Sequence, residues 1–291
     1  MRGMRRLLVL MAIGAAGGAG LVPILGVAVP VAAQPGVFQF STGNPDGAMA
    51  MASRPTSAEI EAADDFLLSG ETRISSASFT GLLPTGDPLS DINDVRVEIY
   101  RVFPTDSTNP PSGHVPTRVN SPSDNTFAHA SATAGTLSFS ATTIAASFTA
   151  ANSVLNGINP SPNQTTGGEG AVTGKEVRFD VTLVPGLDLP AGHYFFVPQV
   201  QLTPGNFFWL SAPHPIVSPG TPFSPDLQAW IRNAALAPDW LRVGTDIVGG
   251  TTPPQFNGTF SLAGCSTEGC STAGGPATGP SSITIAPRFT G

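Results

Sequence analysis

Residues 63–103 read ADDFLLSGETRISSASFTGLLPTGDPLSDINDVRVEIYRVF. The last segment, 94–103, has the cleanest alternation: Val95, Val97 and Ile99 fall on one phase and Arg96, Glu98 and Tyr100 on the other. In extended chain, successive side chains point to opposite faces, so the first set faces a core and the second faces out. Two β-type segments precede it, at 64–68 and 73–83. In the second, Ile74 is out of phase with Ala77 and Phe79, which predicts a bulge at Ser75 and Ser76. Such a run is half of an antiparallel sandwich.

The rest of the chain extends this pattern. Val177, Phe179, Val181 and Leu183 alternate with Arg178, Asp180 and Thr182, another half-buried strand. HYFFVPQVQL (193–202) is apolar on both phases at Phe195, Phe196 and Val197, so it predicts a strand in the middle of a sheet. The turn at 203–206 predicts a hairpin into FFWLSAP. Prolines at 104, 110, 111, 116 and 122 predict a long surface loop over 104–134. Ile144, Phe148, Ala151, Leu155 and Ile158 recur at helical steps, which predicts a short helix or an irregular crossing. Ser57 is placed to cap one helical turn carrying Glu59 and Glu61. Ser224, Pro225 and Asp226 read as the N-cap and first turn of a short helix over 225–236. The expected fold is an all-β, antiparallel, jelly-roll-like sandwich over 34–263, with that one helix and a flexible low-complexity tail at 264–291.

Arg2, Arg5 and Arg6 precede an apolar run from Leu7 that ends in small residues at Ala33, the pattern of a secretory signal peptide. The expected mature start is Gln34. Without residues 1–33 the chain keeps ten Lys+Arg against its 20 Asp+Glu. So acidic a chain offers no broad basic face, which argues against nucleic acid and anionic membrane as partners. Few charges, 33 Gly and 29 Pro suit an extracellular all-β protein. Export permits a disulfide between the two cysteines, Cys265 and Cys270.

With these strands in place, ADDFLL (63–68), ASFTG (77–81), VRVEIYRV (95–102), EVRFDVTL (176–183), GLDLPAGHYFFV (186–197) and FNGTFSLAG (256–264) stand in an order that resembles a broad group of secreted bacterial β-sandwich proteins of largely unassigned function. The resemblance covers most of 63–264. It implies a jelly-roll-like fold and no particular reaction. Members often carry Trp where this chain has Phe195, and many end in a sorting anchor, whereas release is expected here.

Reaction chemistry is sparse. There is no G-x-S-x-G or H-E-x-x-H, and His114, His129, His193 and His214 are scattered with no nucleophile beside them. Glu98 and Asp180 sit on outward phases of good strands, as a glycosidase's paired carboxyls would, although solvated strand-face charges are the commoner explanation of such positions. Tyr100, Trp209 and Trp240 are candidates for a sugar-stacking face, a role that competes with core filling. Asp87, Asp91, Asn93 and Asp94 gather three carboxylates and an amide oxygen in one loop, the donor set calcium takes, although Asp and Asn also favour turns. The expected function is a monomeric extracellular or cell-surface binding or structural module with a glycan or surface component as partner and no membrane span once the leader is removed. The alternative is a polysaccharide-active hydrolase using Glu98 and Asp180.

Overall fold

A computed structural model describes residues 36–55, 58–84, 86–159, 161–162, 164–266 and 270. The segment expected to be a signal peptide, the expected cap Ser57 and the tail beyond 266, apart from Cys270, lie outside these residues. The described residues form fifteen strands: β1 (Val37–Ser41), β2 (Met49–Ala52), β3 (Ile60–Leu68), β4 (Thr72–Pro84), β5 (Ile92–Val102), β6 (Pro122–Ser131), β7 (Leu137–Ala150), β8 (Asn152–Val154), β9 (Val172–Leu189), β10 (Gly192–Leu202), β11 (Phe208–Pro213), β12 (Trp230–Asn233), β13 (Leu241–Arg242), β14 (Phe256–Gly258) and β15 (Phe260–Ser266).

They make two sheets, antiparallel except for the β2–β8 pair. One has six strands in the order β13-β12-β3-β10-β5-β6. The other has nine, with the path β1-β15-β4-β11-β2-β8, β9 on β4, β7 on β9 and β14 on β11. The predicted core phase of β5 is the observed one, with Val95, Val97 and Ile99 buried between the sheets. The predicted bulge is present, since the β4–β9 register slips between Ile74 and Ser76.

Aromatic rings bind the layers together. Phe196 of the six-stranded sheet stacks on Phe260 of the nine-stranded sheet at 4.8 Å and 9°, and Phe79 stacks on its cross-strand neighbour Phe179 at 4.9 Å. Trp209 is fully buried, and its indole N–H donates to Thr259 O at 2.8 Å. Such close packing leaves no room for a side chain at two positions. A Cβ on Gly258 would come within 2.3 Å of the Trp209 ring, and one on Gly81 within 2.2 Å of Phe207.

Five local expectations are corrected. Residues 225–236 form no helix: Trp230–Asn233 is β12, paired with β3. Trp230 and Ile231 are adjacent and both buried, in different clusters, and a strand sends neighbours to opposite faces. Helical geometry appears instead at Leu89–Asp91 and Val243–Val248. Of the residues at four-and-three spacing, Ile144 and Phe148 belong to β7, whose register slips twice against β9, each inserted residue resetting the alternation, while Ala151, Leu155 and Ile158 lie beyond it and form no helix. The proline-rich loop ends early, because Pro122 opens β6, a place where a missing N–H is tolerated. Residues 203–207 make no hairpin, since β10 and β11 lie in different sheets. Glu61 lies in β3 and not in a capped helical turn.

Ile99→Ala is expected to cost about 2–5 kcal/mol. Ser140→Ala, on the exposed phase of β7, should cost about 0.5 kcal/mol or less. Chemical denaturation of the two variants checks the pair, and comparable losses would overturn the assignment of faces.

Candidate functional site

The structure does not bring the predicted site residues together. Asp180 projects from β9 on the exposed phase, between the buried Phe179 and Val181. Glu98 projects from β5 in the other sheet, on the phase opposite the buried Val97 and Ile99. With sheets packed about 10 Å apart and both side chains pointing outward, the two carboxyls cannot flank one bond. The aromatic trio is split likewise. Trp209 belongs to the central core, whereas Tyr100 and Trp240 meet edge-on at 5.4 Å in a second cluster and are themselves buried.

The residues of the Asp-rich loop point to different partners. Asp94 is 3% exposed and accepts from Thr133 N at 3.1 Å, Thr133 Oγ1 at 3.2 Å and Ser131 Oγ at 3.3 Å, which secures the β6–β7 connection. Asn93 Nδ2 donates to Asp91 O, and Asp87 O accepts from Lys175 Nζ. Among the described residues no three His, Cys, Asp or Glu side chains converge as a metal site. Cys265 and Cys270 are disulfide-bonded, with Cα atoms 5.6 Å apart, at the end of β15 and away from the core.

The six-stranded sheet carries two buried polar clusters. On the outer face of the six-stranded sheet, Arg232 Nε and Nη2 donate to the two oxygens of Glu61. Tyr100 Oη lies 2.6 Å from Glu61 Oε1 and 2.9 Å from Glu98 Oε2. Burial, and then Glu61, push the Tyr100 hydroxyl far above the usual phenol range, so it keeps its hydrogen. Burial, reinforced by Glu61, raises the Glu98 carboxyl to about 7. Midway along β3, burial followed by the neighbouring Asp65 pushes Asp64 well up. Asp65 contacts His193 Nε2 and accepts from Leu227 N, and burial raises it to about 6 against the opposing pull of His193. The Glu61–Glu98 pair has the close spacing of hydrolytic carboxyls, but Tyr100 fills the space between them and Glu61 is buried.

The open site lies on the other sheet. The strands β1, β15, β4, β9 and β7 are consecutive neighbours there, and their outward phases line a groove of about 730 Å³. Ser76 and Ser78 come from β4, Ser138 and Ser140 from β7, Ser261 from β15 and Thr182 from β9. Each follows from alternation, because Ala77, Phe79, Val181 and Leu262 on the intervening positions are taken by the core. Pro219 and Thr221 wall one side, held by a 2.7 Å bond from Thr221 N to Ser41 O. The charge in the lining is a solvent-exposed pair, Arg178 Nη2 to Asp180 Oδ1 at 2.9 Å. The volume and the converging hydroxyls suit a neutral, hydrogen-bonding ligand. The hydroxyl at every second residue of SSASFT and LSFSATT is visible in sequence, but the adjacency of these strands is not. The chain matches no protein-family model, no curated protein and no solved structure.

Asp94→Ala is expected to cost about 1–3 kcal/mol by stranding buried donors, while millimolar calcium leaves the wild-type Tm unchanged; a calcium-dependent rise in Tm, seen by differential scanning fluorimetry, would contradict the loop geometry. The raised carboxyls make a second prediction. Glu98, Asp64 and Asp65 hold protons in the folded chain at pH values where the unfolded chain has released them, so stability is greatest at mildly acid pH and is lost as pH rises from about 4.5 through 7. Urea titrations at several pH values should record a loss on the order of 1–3 kcal/mol across that window, and a flat or rising profile would refute it.

Proposed function

We propose that this chain is an extracellular binding module, that the hydroxyl-lined groove of the nine-stranded sheet is its binding face, and that its ligand is a neutral, polyhydroxylated chain such as a glycan. The observation that carries the reading is the groove itself. Outward Ser and Thr side chains recur about every 7 Å along a strand and about 4.8 Å between strands, a lattice of small donors and acceptors matched to successive hydroxyls of an extended ligand. Hydroxyls donate and accept equally, so such a surface needs no fixed ligand charge. The net charge of −7 weighs against a polyanion, and the export pattern of residues 1–33 is in keeping with a ligand met outside the cell.

Binding is favoured over cleavage by the same lining. Asp180 is the one carboxyl among the described lining residues, and it is paired with Arg178. Acid–base hydrolysis of a glycosidic bond asks for two.

A glycan array probed with the purified full chain, followed by calorimetry on the strongest neutral polysaccharide, tests the proposal. Replacing Ser78 and Ser140 together by Leu should lower affinity at least about tenfold, the scale of one or two lost hydrogen bonds, with the Tm nearly unchanged because both side chains face outward. Retention of full affinity in this variant, or release of shortened product from the polysaccharide, would overturn the assignment.

A further inference from the structure

The outer face of an antiparallel sheet is ordinarily its solvated face. Glu61, Tyr100 and Arg232 lie on that face of the six-stranded sheet and are nonetheless 4%, 2% and 7% exposed. The turn that follows β12 brings Trp240 back over them. Arg232 holds this cover from below, its Nη1 donating to Pro238 O at 3.3 Å and its guanidinium carbon lying 4.2 Å from the Trp240 ring centroid, while Arg118 Nε reaches Asp239 Oδ1 at 2.9 Å and Leu236 is buried in the main core. The indole N–H of Trp240 has no acceptor among the described residues, so packing and Arg232 retain the ring.

The polar contacts beneath the cover meet at Tyr100 Oη. Arg232 Nη2 and Thr126 Oγ1 donate to it at 2.9 and 2.8 Å. Glu61 and Glu98 both present an oxygen to it, and a phenol has one hydrogen to give. Arg232 grips Glu61 through two nitrogens and orients it toward the hydroxyl. Glu98 has no such grip, its nearest cation being Arg96 Nη1 at 3.8 Å on its own strand. Whether Glu98 supplies a hydrogen of its own therefore decides whether the two carboxyls face one donor or two, the exposed Thr126 hydroxyl giving up its place on the phenol oxygen in the second case.

We propose that Glu98 is a proton-dependent latch on this cover: with a proton on its carboxyl the cluster closes and clamps residues 234–240 to the sheet, and loss of that proton loosens them. The groups that face Glu98 from the surrounding elements are Glu61 on β3, Glu59 just ahead of it, Arg232 on β12, Arg96 and Tyr100 on β5, and His129 opposite it on β6. Burial and Glu61 place its transition near neutrality, at about 7. The sign follows from a raised carboxyl: the closed form is favoured at acid pH and lost as pH rises through that value.

Hydrogen exchange on the purified full chain at about pH 5.5 and about pH 8, corrected for intrinsic exchange rates, tests the latch. Protection of amides in 234–240 should fall at least about tenfold at the higher pH, while β4 amides, which report global opening, change less. Glu98→Gln replaces the acid by a neutral N–H donor and should keep the acid-pH protection at both values. Tyr100→Phe removes the shared hydroxyl and should lose that protection at both, which keeps the proposal testable if Glu98→Gln does not fold. Protection of 234–240 that is independent of pH in the wild type, an undiminished pH response in Glu98→Gln, or an undiminished response in Tyr100→Phe would each overturn it.

Discussion

A buried guanidinium must have its donors met, and in this protein meeting them organises one whole face. Arg232 is nearly inaccessible and pairs with Glu61 on the adjacent strand. Removing either partner of such a pair leaves an uncompensated charge in a low-dielectric site, at a cost of about 3–5 kcal/mol. The pair is therefore better understood as a constraint than as a source of stability. It requires Tyr100 and Pro238 O to accept from Arg232, and it sets Trp240 against the guanidinium. Those contacts form the second cluster, in which Ala63, Phe195, Val197 and Trp230 are buried on the side of the sheet away from the main core. That cover is what allows β10 to be apolar on both faces.

The two sheets thus treat their outer faces in opposite ways. The six-stranded sheet buries its outer face under loops and pays the desolvation of the carboxyls there, which surfaces as the raised Glu98 and Asp65. The nine-stranded sheet leaves its outer face open and furnishes it with side chains that cost little to keep in water. Serine and threonine hydroxyls on exposed strand positions lose no hydration until a ligand displaces it. Perturbed carboxyls and open groove consequently stand on different faces, although sites of chemistry usually combine the two. This separation favours binding over catalysis as the work of the groove, and leaves the carboxyl cluster as a device that acts on the fold.

Much of the sandwich was legible because alternation is a local property. The phases of β5 and β9 and the bulge in β4 follow from which positions are apolar. The errors arose where a second physical rule intervened. Two register slips in β7 put Ile144 and Phe148 at helical spacing in extended chain, and the chain beyond Ala150 continued the pattern. In β12, the Ser224-Pro225-Asp226 start signal suggested a helix, and a sequence does not disclose that both sides of a strand at Trp230 and Ile231 will be covered. The turn after Leu202 looked like a hairpin because a short connection reads the same whether it stays in one sheet or crosses to the other.

The sequence by itself determined an all-β chain with a defined inward phase for its main strands, since side-chain alternation and turn chemistry act over a few residues. The tertiary structure alone decided which strands are neighbours, and hence everything that depends on partners distant in the chain. It put Glu98 and Asp180 on opposite faces and turned Trp209 inward. It joined Glu61 to Arg232 across 171 positions and set the hydroxyls of β4, β7, β9 and β15 side by side. Strand order is chosen by burial summed over the whole chain, and no short window of sequence contains that sum.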